Sequence, residues 1–218
     1  MKKLTIIIVG LLLTINVNAQ VWHFFPGKME ADEYKELYGY SMSDDSVEAD
    51  LFVINLLRAV DNLIHAPSII VNLNSWDMNS VGGIETSYSI VNCTVKRIKY
   101  IYITSCFLNS VGDVCTGDFG ERYMKEKLIG PIGPRPTLND DMDVMIDKLN
   151  NCSGTYTSDK PSFYCSIADR RKVVSIKVQY FDGTVKVYKG KQVKEVCCSA
   201  PDEWAHSECN PLAPINDD

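Results

Sequence analysis

Histidine is scarce in this chain and cysteine is absent before Cys93. Three histidines, His23, His65 and His206, leave little imidazole for acid–base work. No G-x-S-x-G segment is present to hold a serine nucleophile. There is no C-x2-C pair and no histidine pair at ligand spacing, so zinc chemistry has no framework and no metal site is expected. Gly82-Gly83 lacks the lysine and helix that a phosphate loop requires, and no cofactor is expected. An excess of positive charge is also missing. The formal charge is −6 and the sequence pI about 5.1. A nucleic-acid binder carries a basic face, so nucleic acid is not an expected partner. The basic cluster Lys96-Arg97-Lys99 reads as solvated sheet positions. After the first twenty residues no apolar run approaches the ~18 residues that span a bilayer. The best candidate, Leu51 to Leu57, contains Asn55 and is followed by Arg58.

What is present begins with Lys2 and Lys3, the apolar run Ile6 to Leu13, and the small residues of Val17-Asn18-Ala19. This pattern predicts a secretory signal peptide over 1–19, cut before Gln20. Losing Lys2 and Lys3 takes the formal charge from −6 to −8. The mature chain is then expected to be secreted or periplasmic, with no membrane span after cleavage.

That compartment decides the meaning of Cys93, Cys106, Cys115, Cys152, Cys165, Cys197, Cys198 and Cys209. An even count on an oxidising route predicts disulfides. Eight cysteines allow 105 pairings, and spacing does not choose among them. Adjacent Cys197 and Cys198 are poorly placed to bond each other, so each is expected to reach a different partner.

Hydrophobic periodicity supplies the elements. Ala31 to Tyr38 suits a short amphipathic helix, ended by Gly39. Ser43 to Ser46 offers capping oxygens, and Val53, Leu56, Leu57, Val60 and Ile64 follow at the spacing of a buried helix face. Pro67 stops that helix. Ser68 to Leu73, Ile84 to Val91 and Thr94 to Thr104 are rich in β-branched and aromatic residues and read as strands, with a loop over Asn74 to Gly83. Asp118 is expected to cap a helix from Phe119 to Leu128. Gly130 to Pro136 is Pro- and Gly-rich and forbids both helix and central strand. A helix follows, with Met142, Met145, Ile146 and Leu149 at helical spacing. Ser162 to Ala168, Lys172 to Phe181 and Thr184 to Tyr188 read as strands, the last two joined by the hairpin signal Asp182-Gly183.

These elements predict an α+β fold with antiparallel sheets packed against helices and stapled by disulfides. The expected organisation is two helix-plus-three-strand halves, 20–129 and 137–218, joined by 130–136. The second half carries a disulfide-tied tail, and the two halves could form one domain. Asn92-Cys93-Thr94 and Asn151-Cys152-Ser153 match the glycosylation acceptor pattern, and each is followed by a cysteine thirteen positions on.

Candidate chemistry is thin. Asp140, Asp141 and Asp143 read as helix N-terminal charge rather than a calcium loop. His65 reads as a helix C-terminal cap. Aromatic residues dominate protein interfaces, so Trp22, Phe24, Phe25, Trp76 and Trp204 are the candidate binding residues. The function expected is therefore binding or inhibition of another protein. The alternative is a secreted hydrolase with a dispersed site, for which Asp77, His206 and Glu208 are the first suspects.

Overall fold

The computed structural model describes residues 44–158 and 161–197. The expected signal segment, the aromatic segment Gln20 to Gly27, the helix expected over Ala31 to Tyr38 and the tail from Cys198 lie outside them. Helix α1, Asp44–His65, follows the strongest periodicity. Its Leu56, Val60 and Leu63 are buried at i, i+4, i+7. His65 closes its last turn, with Nδ1 2.9 Å from the Asp61 carbonyl.

Strands β1, Ile69–Met78, and β2, Ile84–Asn92, form an antiparallel hairpin. β1 extends past the expected Leu73 because Trp76 and Met78 continue the ladder opposite Thr86 and Ile84. Asn79 then makes the turn: its Oδ1 accepts from the Val81 and Gly83 amides, and Gly82 takes φ +80°. The same Asn-Ser-Val-Gly sequence recurs at Asn109 to Gly112 with the same bonding, to the Val111 and Asp113 amides, and Gly112 at φ +97°.

Strands β3, Ile98–Leu108, and β4, Met124–Ile132, come next. The helix expected over Phe119 to Leu128 is therefore a correction. Met124, Glu126 and Leu128 alternate with Lys125, Lys127 and Ile129, a period of two that favours a strand with one wet face. Pro131 is tolerated in β4 because that strand is a sheet edge. Helix α2, Met142–Asn151, and strand β5, Ser153–Thr157, follow. The strand expected over Ser162 to Ala168 is also absent; the segment makes one bridge, Tyr164 to Gly83. Its backbone groups are divided among Ile84, Gly82 and Asp118, so no single strand pairs with it. Strands β6, Arg170–Tyr180, and β7, Val185–Lys189, form the hairpin signalled by Asp182-Gly183, with Gly183 at φ +84°. A last short helix, α3, Lys191–Cys197, was not expected.

The strands form two antiparallel sheets, β1-β2-β5 and β4-β3-β6-β7. Segments on either side of Gly130 to Pro136 contribute to both. The α+β class expected from the sequence is the one observed. Ile69, Val71 and Ile90 of the first sheet meet Ile101, Ile103, Ile176 and Val178 of the second in one core. On the other face of the first sheet, Ile70 and Val91 pack beneath Leu56, Val60 and Leu63 of α1 and Met145 and Leu149 of α2. The layers are thus helices, three-stranded sheet, four-stranded sheet. α3 covers an edge, meeting β1, β6 and β7. Among the described residues no helix or sheet covers the outer face of the four-stranded sheet.

Candidate functional site

That outer face is set by register. Burial of Ile101, Ile103, Ile176 and Val178 turns the alternate residues outward. One cross-strand row reads Ile129, Tyr100, Gln179, Val185, and the next reads Lys127, Tyr102, Lys177, Val187. Ile129 is 65 % exposed, Val185 48 % and Val187 45 %. The two tyrosines are half-buried and meet edge to face, 6.2 Å between centroids. Lys127 Nζ lies 3.9 Å from the Tyr100 ring centre and Lys177 Nζ 4.7 Å from that of Tyr102. These ammonium groups hold the rings upright through cation–π attraction.

Charge on this sheet is one-sided. Its strands carry Lys99, Lys125, Lys127, Lys172, Lys177, Lys186 and Lys189 with Arg170 and Arg171, against the one carboxylate of Glu126. Glu126 faces inward. Its Oε2 lies 2.8 Å from Arg171 Nη2, and it accepts from the Thr86 and Tyr88 hydroxyls. Burial, above all, pushes the Tyr88 phenol well above its ordinary range, so it stays protonated as a donor. Arg171 also donates to Ser105 Oγ at 2.8 Å and lies over the Tyr88 and Phe107 rings. The cluster forms the floor of a cleft of about 350 Å³ between the sheets, whose lining includes Thr86, Tyr88, Glu126 and Tyr156. Through the Arg171–Glu126 pair and the two hydroxyls that donate to it, this cleft is a joint between the sheets. The net result is an outward face that is cationic and aromatic on an acidic chain.

A second exposed region lies at the loops. Val81 and Val111 cap the two Asn-Ser-Val-Gly turns, and Phe119 and Ile167 are also exposed. Their loops abut the segment from Phe163 to Arg170 through Gly82 to Cys165, Asp118 to Tyr164, and Leu108 to Asp169.

The residues singled out from sequence fall differently. Trp76 is half-buried, edge-on to Phe107 at 5.5 Å, and packs against the core of Phe107 and Phe163. Asp77 is exposed on β1. Trp22, Phe24, Phe25, Trp204, His206, Glu208, Cys198 and Cys209 lie outside the described residues. Cys93, Cys106, Cys115, Cys152, Cys165 and Cys197 are all buried, and no two of them are joined as a disulfide, so the expected staple is not seen among the described residues. Lys96 pairs with Asp182 at 2.8 Å, and Arg97 lies over Phe181. Asp140 binds Lys148 at 2.7 Å and the Thr137 amide, which holds its carboxyl below the usual range. Among the described residues no three His, Cys, Asp or Glu side chains gather as a metal site, and no helix is long and apolar enough to cross a membrane. The open sheet face was missed because its rows join residues from four strands. The alternation within Tyr100 to Ile103 predicts that both faces of the strand are substantially covered, whereas among the described residues no helix or sheet covers the tyrosine side.

No family model and no curated protein matches this chain. A solved structure, the structural characterization of IrmA from Escherichia coli, is similar at a TM-score of 0.33 and 6 % identity, over 56 % of this chain and 86 % of that one. A likeness of that size carries no argument about function.

Proposed function

We propose that this chain is a secreted or periplasmic protein that acts by binding another protein, and that the outer face of the four-stranded sheet is the contact surface. The observation that supports this reading is the composition of that face. Two tyrosines and three exposed aliphatic side chains sit in register, rimmed by lysines, with no outward carboxylate on the four strands. Tyrosine buries large area at low entropic cost and is enriched among the residues that dominate interface energy. Lysines around it steer an oppositely charged partner and tune its arrival rate. The partner is therefore a protein with an acidic, partly apolar surface. Strands hold these groups more rigidly than loops would, which favours a preorganised interface.

The test is capture from the producer's own secreted and envelope proteins, with wild-type chain and a Tyr100→Ala/Tyr102→Ala variant side by side. The reading expects a stoichiometric acidic protein on the wild type, reduced at least ~30-fold on the variant, the loss expected for two interface anchors. Equal capture by both would reject this face as the contact surface.

A further inference from the structure

We propose that the chain matures through two disulfides, Cys93 with Cys152 and Cys115 with Cys165, made by exchange with a disulfide-donating oxidant of the export compartment. The structure holds these four cysteines as unbonded thiols; the pairing rests on which of them share one core, and the source of oxidant rests on the export reading above.

Cys93 and Cys152 leave the β2–β5 ladder together. Val91 is opposite Ser153, and the Asn92 amide donates to the Cys152 carbonyl at 2.7 Å. Cys93 then turns, its amide bonding the Ser68 carbonyl at 3.2 Å. Both side chains enter the core beneath α1 and α2, beside Val91 and Leu149. Cys115 and Cys165 meet at the loop end. The Cys115 amide bonds the Phe107 carbonyl, and the Cys165 amide bonds that of Gly82. Both side chains lie among Phe107, Met124 and Phe163, where the Cys115 thiol faces the Ile167 carbonyl at 4.0 Å. Cys106 is buried but lies outside that cluster. Among the described residues no third ligand gathers with either pair.

The chemistry balances. One thiolate attacks the donor disulfide and expels a donor thiolate. The second thiolate displaces the donor from the mixed disulfide. Two protons and two electrons leave each cysteine pair, and the donor ends as two thiols. Burial pushes three of these thiols up: Cys115 is raised to about 11 and Cys152 to about 12, with Cys93 raised beyond them. Thiolate is therefore scarce once the fold has closed, and exchange belongs to the open chain.

The reduced, denatured chain is refolded in a glutathione redox buffer, blocked by alkylation, and cut by trypsin and Asp-N without reduction. This separates pairing from export. The expected products link the peptide Asp113–Gly117 to Asp159–Ala168, and Asp77–Lys96 to Leu149–Ser158. Cys106→Ser is expected to leave both links intact, and Cys115→Ser to leave Cys165 alkylated while the other link survives. Any other linkage of these four cysteines, or their recovery as alkylated thiols, would overturn the pairing. If the links form in vitro but are missing from chain taken from the producer, the export reading fails while the pairing stands.

Discussion

Arg171 and Glu126 form an ion pair at 2.8 Å although a whole strand, β3, separates β6 from β4. The guanidinium reaches across Ser105, and the carboxylate gathers Thr86 and Tyr88 from the opposing sheet. One buried charge pair thus ties the two sheets together. Both side chains are nearly inaccessible, 1 % and 8 %. Removing either partner leaves a buried charge without its counterion. Glu126→Gln or Arg171→Met is expected to cost about 3–5 kcal/mol. The double change to Leu and Met is expected to cost far less than the two singles combined, since no orphan charge remains. Urea denaturation of the three variants measures this.

Sequence reading could not find that pair. Arg170-Arg171-Lys172 is a run of three basic residues, and Glu126 stands between Lys125 and Lys127 in the segment expected to be a helix. The direction of Arg171 depends on the register shift between Thr104 and Ser105, which only pairing reveals. What sequence did carry was local. The periodicity of α1, the β-branched and aromatic content of β2 and β3, and the Asp182-Gly183 turn each rest on neighbours a few residues apart. Phe119 to Leu128 failed because Met124 and Leu128 are four apart, a spacing that both a helix and one face of a strand supply. The open sheet face needs four strands assembled before it exists.

Asn92 is expected to act as a second joint. It is fully buried, and Nδ2 donates to the Lys96 and Gly133 carbonyls while Oδ1 accepts from the Thr94 amide and hydroxyl. Asn92→Ala strands these groups and is expected to cost about 1–3 kcal/mol, read as a lower urea midpoint with unchanged slope. In the fold, both amide hydrogens of this acceptor asparagine are already donated.

Acid is expected to weaken the β6–β7 turn. Lys96, then the Thr184 hydroxyl and amide, hold the Asp182 carboxyl far below its usual range. A lowered carboxylate stabilises the fold above its unfolded value of ~3.9, and that contribution fades as pH falls through the folded value. Asp182→Asn is therefore expected to be less stable than wild type near neutrality, with the gap closing below pH ~3. The pair is exposed, so the gap is expected to be small and to shrink in high salt. Thermal melts across pH check this.

The proposed bridges close loops of about fifty and sixty residues, for which chain entropy gives about 4 kcal/mol each. Cys115→Ser/Cys165→Ser is expected to lower the urea midpoint of the oxidised protein, and to leave that of the fully reduced protein nearly unchanged. In the reduced fold, Cys115 and Cys152 are expected to resist alkylation at pH 8 until denaturant is added, because their thiols ionise only at much higher pH.

The central claim is that the outer sheet face meets a protein partner. The most direct measurement is amine acylation of the captured complex, read lysine by lysine by mass spectrometry against the chain alone. The account predicts that Lys127 and Lys177 are protected by the partner while Lys194, on α3, labels as before. Unchanged labelling at Lys127 and Lys177 in a saturated complex would contradict it.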